Sequence, residues 1–457
     1  MTYLNFRWRS SDAVRCRAAT EVRTTKGQTV SGTMTRRKRF AAIGLGLSLL
    51  AGLLSGCAGT PASEGSGKET IRFTFSKREA IGFMTKLVAD YNASQDDTEV
   101  VLDTSGVDVV SASFVRGNPP DIALANYNME TSRFVQRGAL SDLSGTEAAS
   151  HIRDDLKPLM DQYGSYPGRT SALPYSVMAS SVIYNKEVFA AHNIAVPTTW
   201  TELIAACEAL KAAGVTPFYA TWKDDWTIAQ GWFDYAVGGQ VDTLEFFKKL
   251  QAEGVNVGVE SSASFRKDFD QPVQKMLTLA KSYVNKDAAS RAYGDGNLAF
   301  SQGKAAMYLQ GPWAFSEIAK TAPDLKLGTF PLPMTDDPQD LRVRVNVDLA
   351  AWIPEASKHK DAARDFLEYL YRPEVIDAYN KSQLGFTPTK ESANLPDPRI
   401  EGMVQYYKDS KVYQGPSVLV PRTIPIMNYT QAIVFGASPA STLSTLDADW
   451  ARLAFRQ

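Results

Sequence analysis

Leu173-Pro174-Tyr175-Ser176-Val177-Met178-Ala179-Ser180-Ser181-Val182-Ile183-Tyr184-Asn185 is the stretch on which the reading of the fold turns. It opens on a proline and an aromatic ring and passes through the small residues Ala179-Ser180-Ser181. It closes on Val182-Ile183-Tyr184, which has the composition of a buried strand. Small residues let two chain segments approach closely and can absorb dihedral change at a hinge. On its own composition the stretch is a loop that feeds a core strand.

The rest of the chain narrows what surrounds it. A chain of 457 residues can bury a large core and predicts two domains or more. With 44% apolar and 22% charged residues it has the composition of a soluble globular protein. A formal net charge of −1 gives no general pull toward nucleic acid or anionic lipid, and no basic patch is interleaved with aromatics. The three histidines, His151, His192 and His359, lie in polar surroundings, and no GxSxG, HExxH or Walker A motif occurs. Cys16, Cys57 and Cys207 have no metal-ligand spacing. No cofactor, metal or structural disulfide is expected, and Cys207 is predicted to be a small buried hydrophobe on a helix face.

Residues before Met34 are polar, basic and aperiodic, and translation is predicted to start at Met34. Thr35-Arg36-Arg37-Lys38-Arg39 then forms a charged head, followed by an apolar run of 15 residues, Phe40 to Leu54. A membrane span needs about 20 residues, so this run suits the core of a secretion signal. The phenylalanine falls one position late for a twin-arginine signal, which favours the general secretory route. Leu54-Ser55-Gly56-Cys57 resembles a bacterial lipobox, whose cysteine accepts a diacylglyceryl group. Two acyl chains suffice for stable anchoring. Residues 1–57 are therefore a signal region, and 58–68, rich in glycine and serine, a flexible tether.

The folded part is expected from residue 69. Ile71-Arg72-Phe73-Thr74-Phe75 alternates as a strand, Phe83 to Tyr91 carries a helical apolar face, and 99–102 and 121–125 are two further strands. That order predicts a mostly parallel sheet, in which ligands gather at the carboxyl ends of strands. Ser76-Lys77-Arg78-Glu79 and Asn126-Tyr127-Asn128 occupy such ends. Thr199-Trp200-Thr201-Glu202 is a capping box that opens a helix running to Gly214. After the short strand 216–220, Thr221 to Thr227 holds two tryptophans and two carboxylates. A strand at 305–309 ends in Gly311-Pro312-Trp313, 343–353 is a strand, 358–371 a helix, and the remainder is mainly helical.

Five stretches, in the same order, resemble the maltose-binding-protein-like family of extracellular sugar-binding proteins of bacterial ABC importers. They are Pro119-Pro120-Asp121-Ile122-Ala123, the opening stretch with its continuation to Lys186, and Pro197-Thr198-Thr199-Trp200-Thr201-Glu202-Leu203. The fourth is Phe300-Ser301-Gln302-Gly303-Lys304-Ala305-Ala306-Met307 with Gly311-Pro312-Trp313-Ala314, and the fifth is Asp348-Leu349-Ala350-Ala351-Trp352-Ile353-Pro354. The resemblance implies an α/β, two-lobed periplasmic-binding-protein-like fold with a ligand cleft between the lobes and three crossing segments. Leu173 to Asn185 would be the first crossing, the return near 342 the second, and Leu384-Gly385-Phe386-Thr387-Pro388 the third. Lobe 1 would comprise 69–180 and 342–384, and lobe 2 181–341 and 385–457. It further implies a lipid-anchored monomer on the outer face of the bacterial cytoplasmic membrane, handing an oligosaccharide to a permease, with no catalysis and no nucleic-acid partner.

A sugar ring has an apolar C–H face and a polar edge, so its site needs aromatic platforms and short polar or charged groups. Tyr127, Tyr175, Trp226 and Trp313 are the stacking candidates, Trp313 because Gly-Pro-Trp matches a ligand-stacking tryptophan of the family. Lys77, Arg78, Glu79, Asn126, Ser180, Asp225 and Asp348 are the polar candidates. Trp222 and Trp352, set among apolar residues, are expected in the core. Two other readings stay open: the same fold holding a polyamine or a phosphorylated solute, and a secreted glycoside hydrolase. The second needs two carboxyls on opposite sides of a bond, so Asp225 would require a distant partner.

Overall fold

The computed structural model describes residues 67–392 and 397–453. The expected secretion signal and the expected lipidation site, Cys57, lie outside the described residues. The strands are β1 (Glu69–Thr74), β2 (Thr98–Asp103), β3 (Ile122–Ala125), β4 (Leu173–Asn185), β5 (Phe218–Tyr219), β6 (Met307–Gln310), β7 (Leu327–Phe330), β8 (Val343–Trp352) and β9 (Val412–Gln414). They hydrogen-bond in the order β2-β1-β3-β8-β4-β6-β5, with β7 also on β4 and β9 on β8.

The whole stretch Leu173 to Asn185 is one strand, and every residue of it except Tyr184 is buried. From Leu173 to Ser180 it pairs with β8; from Ser181 to Asn185 it pairs with β6 and β7. Its partners change between Ser180 and Ser181, within the run of small residues. One strand therefore belongs to both lobes, although its first half has the composition of a loop. Burial on both faces removes the alternation that marks a half-exposed strand.

The sheet is mixed, not mostly parallel. β1 is parallel to β2 and β3, but β3–β8 and β8–β4 are antiparallel. Parallel neighbours need a crossover connection. β4 and β8 instead pass directly between lobes in opposite directions, so the sheet they join takes its direction from the crossing. A third segment meets them: Val177 and Phe386 exchange backbone N–H···O bonds of 3.0 and 2.7 Å. Leu384, left-handed at φ 55°, ends the helix Pro373–Gln383 just before it.

Two apolar cores flank the crossing. One gathers β1, β2 and the helices Ile81–Ser94 and Lys360–Leu370 around Phe73, Phe75, Phe366 and Tyr379. The other runs from Val182 and Ile183 through Phe218, Trp232 and Phe265 to Leu309 and Trp450. Cys207 is buried in it. The helix Trp200–Ala212 starts with the expected capping box, Thr199 Oγ1 accepting from Glu202 N–H at 3.2 Å and Glu202 reaching back to Thr199 N–H. Trp352 is core, 1% exposed.

Candidate functional site

A cleft of about 410 Å³ opens where the two cores face each other. Its wall is made of Ser76, Lys77, Arg78, Glu79, Asn126, Asn346 and Asp348 on one side and Trp226, Gln230 and Trp313 on the other. Each group sits where its strand delivers it. Ser76 to Glu79 follow β1, Asn126 follows β3, Trp226 lies beyond β5, and Trp313 follows β6 by three residues. These are carboxyl ends of strands, the usual ligand position in open α/β sheets.

β8 supplies the floor by simple alternation. Val343, Val345, Val347 and Leu349 point one way into the core; Arg344, Asn346 and Asp348 point the other. Asp348 and Asn346 reach the cleft, while Arg344 is fully buried. Asp348 accepts from Lys77 Nζ at 2.5 Å, and Asn126 Nδ2 donates to its main-chain oxygen at 2.8 Å and to Oδ1 at 3.4 Å. Glu79 lies 3.4 Å from the same ammonium. Burial alone would push the Lys77 ammonium down; Asp348 and then Glu79 reverse this and hold it above its ordinary range, so it stays charged.

The aromatic side is built on helix starts. Trp313 opens the helix Trp313–Ala319, and its Nε1 donates to Gln310 Oε1 at 3.0 Å. Its ring lies over the Gly311 backbone, where an added Cβ would stand 2.1 Å from Cζ3. Trp226 meets Tyr293 edge-on, centroids 5.2 Å apart. Burial pushes the Tyr293 phenol up to about 12. Trp226 and Gln230 lie one turn apart, in the run formed by Asp225–Thr227 and the π-helix Ile228–Phe233. A π turn inside a helical run is often found beside functional groups. Both rings are half-buried and keep part of their surface open.

Seven of the eleven residues singled out from sequence therefore meet in the cleft: Lys77, Arg78, Glu79, Asn126, Trp226, Trp313 and Asp348. Four do not. Tyr175 is fully buried between Tyr371 and Tyr379, and burial pushes its phenol far up. Tyr127 turns away from Asn126 to pack edge-on against Tyr163 at 5.3 Å. Ser180 lies inside β4, paired in register with Arg344. Asp225 opens its short helix without lining the cleft. Three more residues line the cleft: Ser76, which the sequence places at a strand end but not among the ligand candidates, and Gln230 and Asn346. Asn346 was within reach, because Val-Arg-Val-Asn-Val-Asp-Leu from Val343 to Leu349 places a polar group every second residue; Gln230 was not, since the π turn that aims it has no sequence signature.

Residues 77–376 match the family of bacterial extracellular solute-binding proteins. The chain belongs to this family, which places it outside the cytoplasm, in the extracellular or periplasmic space. It is 23% identical over 367 residues to the multiple sugar-binding protein of Streptococcus mutans serotype c, covering 79% of this chain and 85% of that one. It is 24% identical over 380 residues to the melibiose/raffinose/stachyose-binding protein MelE of Bacillus subtilis, covering 80% and 84%. In structure it is similar to apo RafE from Streptococcus pneumoniae, with a TM-score of 0.72, 21% identity and coverage of 84% of this chain and 98% of that one. RafE in complex with raffinose superposes with a TM-score of 0.71 at 20% identity, covering 84% and 99%.

Proposed function

We propose that this protein is the substrate-binding component of an ABC importer and that it captures an oligosaccharide between its lobes. The observation that carries this reading is the facing of Trp226 and Trp313 across the cleft from Asn126, Asn346 and Asp348. Indole faces suit the C–H face of a sugar, and amides and a carboxylate suit its hydroxyls. The names of the relatives, which bind melibiose, raffinose, stachyose or several sugars, support the same class. Contacts from both lobes favour the closed form, so ligand shifts a hinge equilibrium carried by β4, β8 and the segment near Phe386. The lobes are 69–180 with 342–384, and 181–341 with 385–457; the change of β4's partners after Ser180 supports the first boundary. The protein is a monomer anchored through lipid on Cys57, and the loaded form is handed to a permease. It performs no covalent chemistry on the sugar.

Small-angle scattering with and without saturating oligosaccharide tests closure. The radius of gyration is expected to shrink and the sugar to be recovered intact. Cleaved product would overturn the binding reading and support the hydrolase. Gly311→Ala is expected to push the Trp313 ring from its shelf and weaken sugar binding about tenfold, while core stability changes little, because the strain falls on a half-exposed ring. Unchanged affinity would show that the ring position is immaterial.

A further inference from the structure

We propose that the Lys77–Asp348 pair is a charge filter: it fits the cleft to uncharged glycans and turns away both acidic and amino sugars. The proposal rests on the oligosaccharide reading and deepens it.

The cleft wall carries two cations, Lys77 and Arg78, and two carboxylates, Glu79 and Asp348. They are not equivalent. Arg78 is exposed and makes no ion pair among the described residues, and the Glu79 side chain is 41% exposed. Water and salt screen such groups. The side chains of Lys77 and Asp348 are only 8% and 10% exposed, and their charges are 2.5 Å apart. In that partly desolvated place a charge acts strongly on whatever comes to rest beside it. Asn126 anchors Asp348 from the other side.

A sugar hydroxyl suits this pair. It can donate to Asp348 and accept from Lys77, and it asks neither to give up its partner. A ligand carboxylate must sit beside Asp348, and a ligand ammonium beside Lys77. Each then faces a like charge whose own partner is already committed, and like-charge juxtaposition in an interface is costly. Specificity obtained by repelling the wrong ligand needs no extra contact with the right one. Lys77 is on this account a positioning and specificity residue. Its role is to hold Asp348 neutralised.

The test is a binding titration with three probes: a neutral oligosaccharide, the same sugar oxidised at C6 to a uronate, and the same sugar with an amine in place of one hydroxyl. Wild type is expected to bind the neutral probe about tenfold or more tightly than either charged one. Asp348→Asn leaves Lys77 with only the more exposed Glu79, 3.4 Å away, and is expected to shift preference toward the uronate; Lys77→Met takes from Asp348 its ammonium partner and is expected to shift preference toward the amine. The double variant Lys77→Met/Asp348→Asn is expected to return to preferring the neutral probe. Equal weakening of all three probes by each single variant would overturn the filter and leave the pair a structural tie. Wild-type binding of the uronate as tight as the neutral probe would overturn the filter while sparing the proposed function. Binding of none of the probes would overturn the oligosaccharide reading itself.

Discussion

Asp234→Ala is expected to cost the fold about 3–5 kcal/mol, because it strands a buried guanidinium. Both Asp234 and Arg344 side chains are fully buried, with Nε 2.9 Å from Oδ2. Asp234 also accepts from Ser417, main-chain N–H at 2.8 Å and Oγ at 2.9 Å. Three pieces of chain meet on one carboxylate: β8, the helix Asp234–Gly238 that continues from the run carrying Trp226 and Gln230, and the short helix Pro416–Leu419. Gly415 permits the approach, since a Cβ there would stand 1.9 Å from Oδ2. Urea unfolding measures the cost. The double variant Asp234→Leu/Arg344→Met removes both charges and is expected to recover most of the loss, as buried pairs often tolerate apolar replacement. A single-variant cost under about 1 kcal/mol, the range of an exposed pair, would mean that water reaches the guanidinium.

Trp313→Ala is expected to weaken oligosaccharide binding by about 2–3 kcal/mol, roughly 30- to 150-fold, as for an aromatic anchor at the centre of an interface. The ring is half-buried at the start of its helix, donates to Gln310 and packs against the edge of the core, so its removal opens no fully enclosed cavity. Unfolding midpoints should therefore move little while affinity collapses. Calorimetric titration of the variant checks this. An affinity within threefold of wild type would remove Trp313 from the site.

Much of this arrangement could be read from local pattern. Alternation at Ile71 to Phe75, the capping box at Thr199, and the inward face of Ala362, Phe366, Leu367 and Leu370 each specify their element without help from the rest. The strand ends after β1, β3 and β6 located Lys77, Asn126 and Trp313 for the same reason: a parallel-type strand end is a place, and the residue that follows it occupies that place. What was not legible depended on the direction of side chains. Tyr175 has the neighbours of a cleft residue, but it falls at a register shift between Pro174 and Ser176 in the β4–β8 pairing and is buried against Tyr371 and Tyr379. Tyr127 differs from Asn126 by one position and therefore by one face. Gln230 depends on a π turn, and the Asp234–Arg344 contact joins residues 110 apart. Nothing in either neighbourhood announces the other. The mixed sheet was hidden as well, because order along the chain does not show that β4 and β8 serve both lobes.

The measurement that bears most directly on the central claim is a calorimetric titration of the protein with malto-, xylo-, galacto- and fructo-oligosaccharides. Saturable heat from at least one series, abolished or sharply weakened by Trp313→Ala, is the predicted result. No heat from any series, with binding instead of a polyamine or a phosphorylated solute, would contradict it.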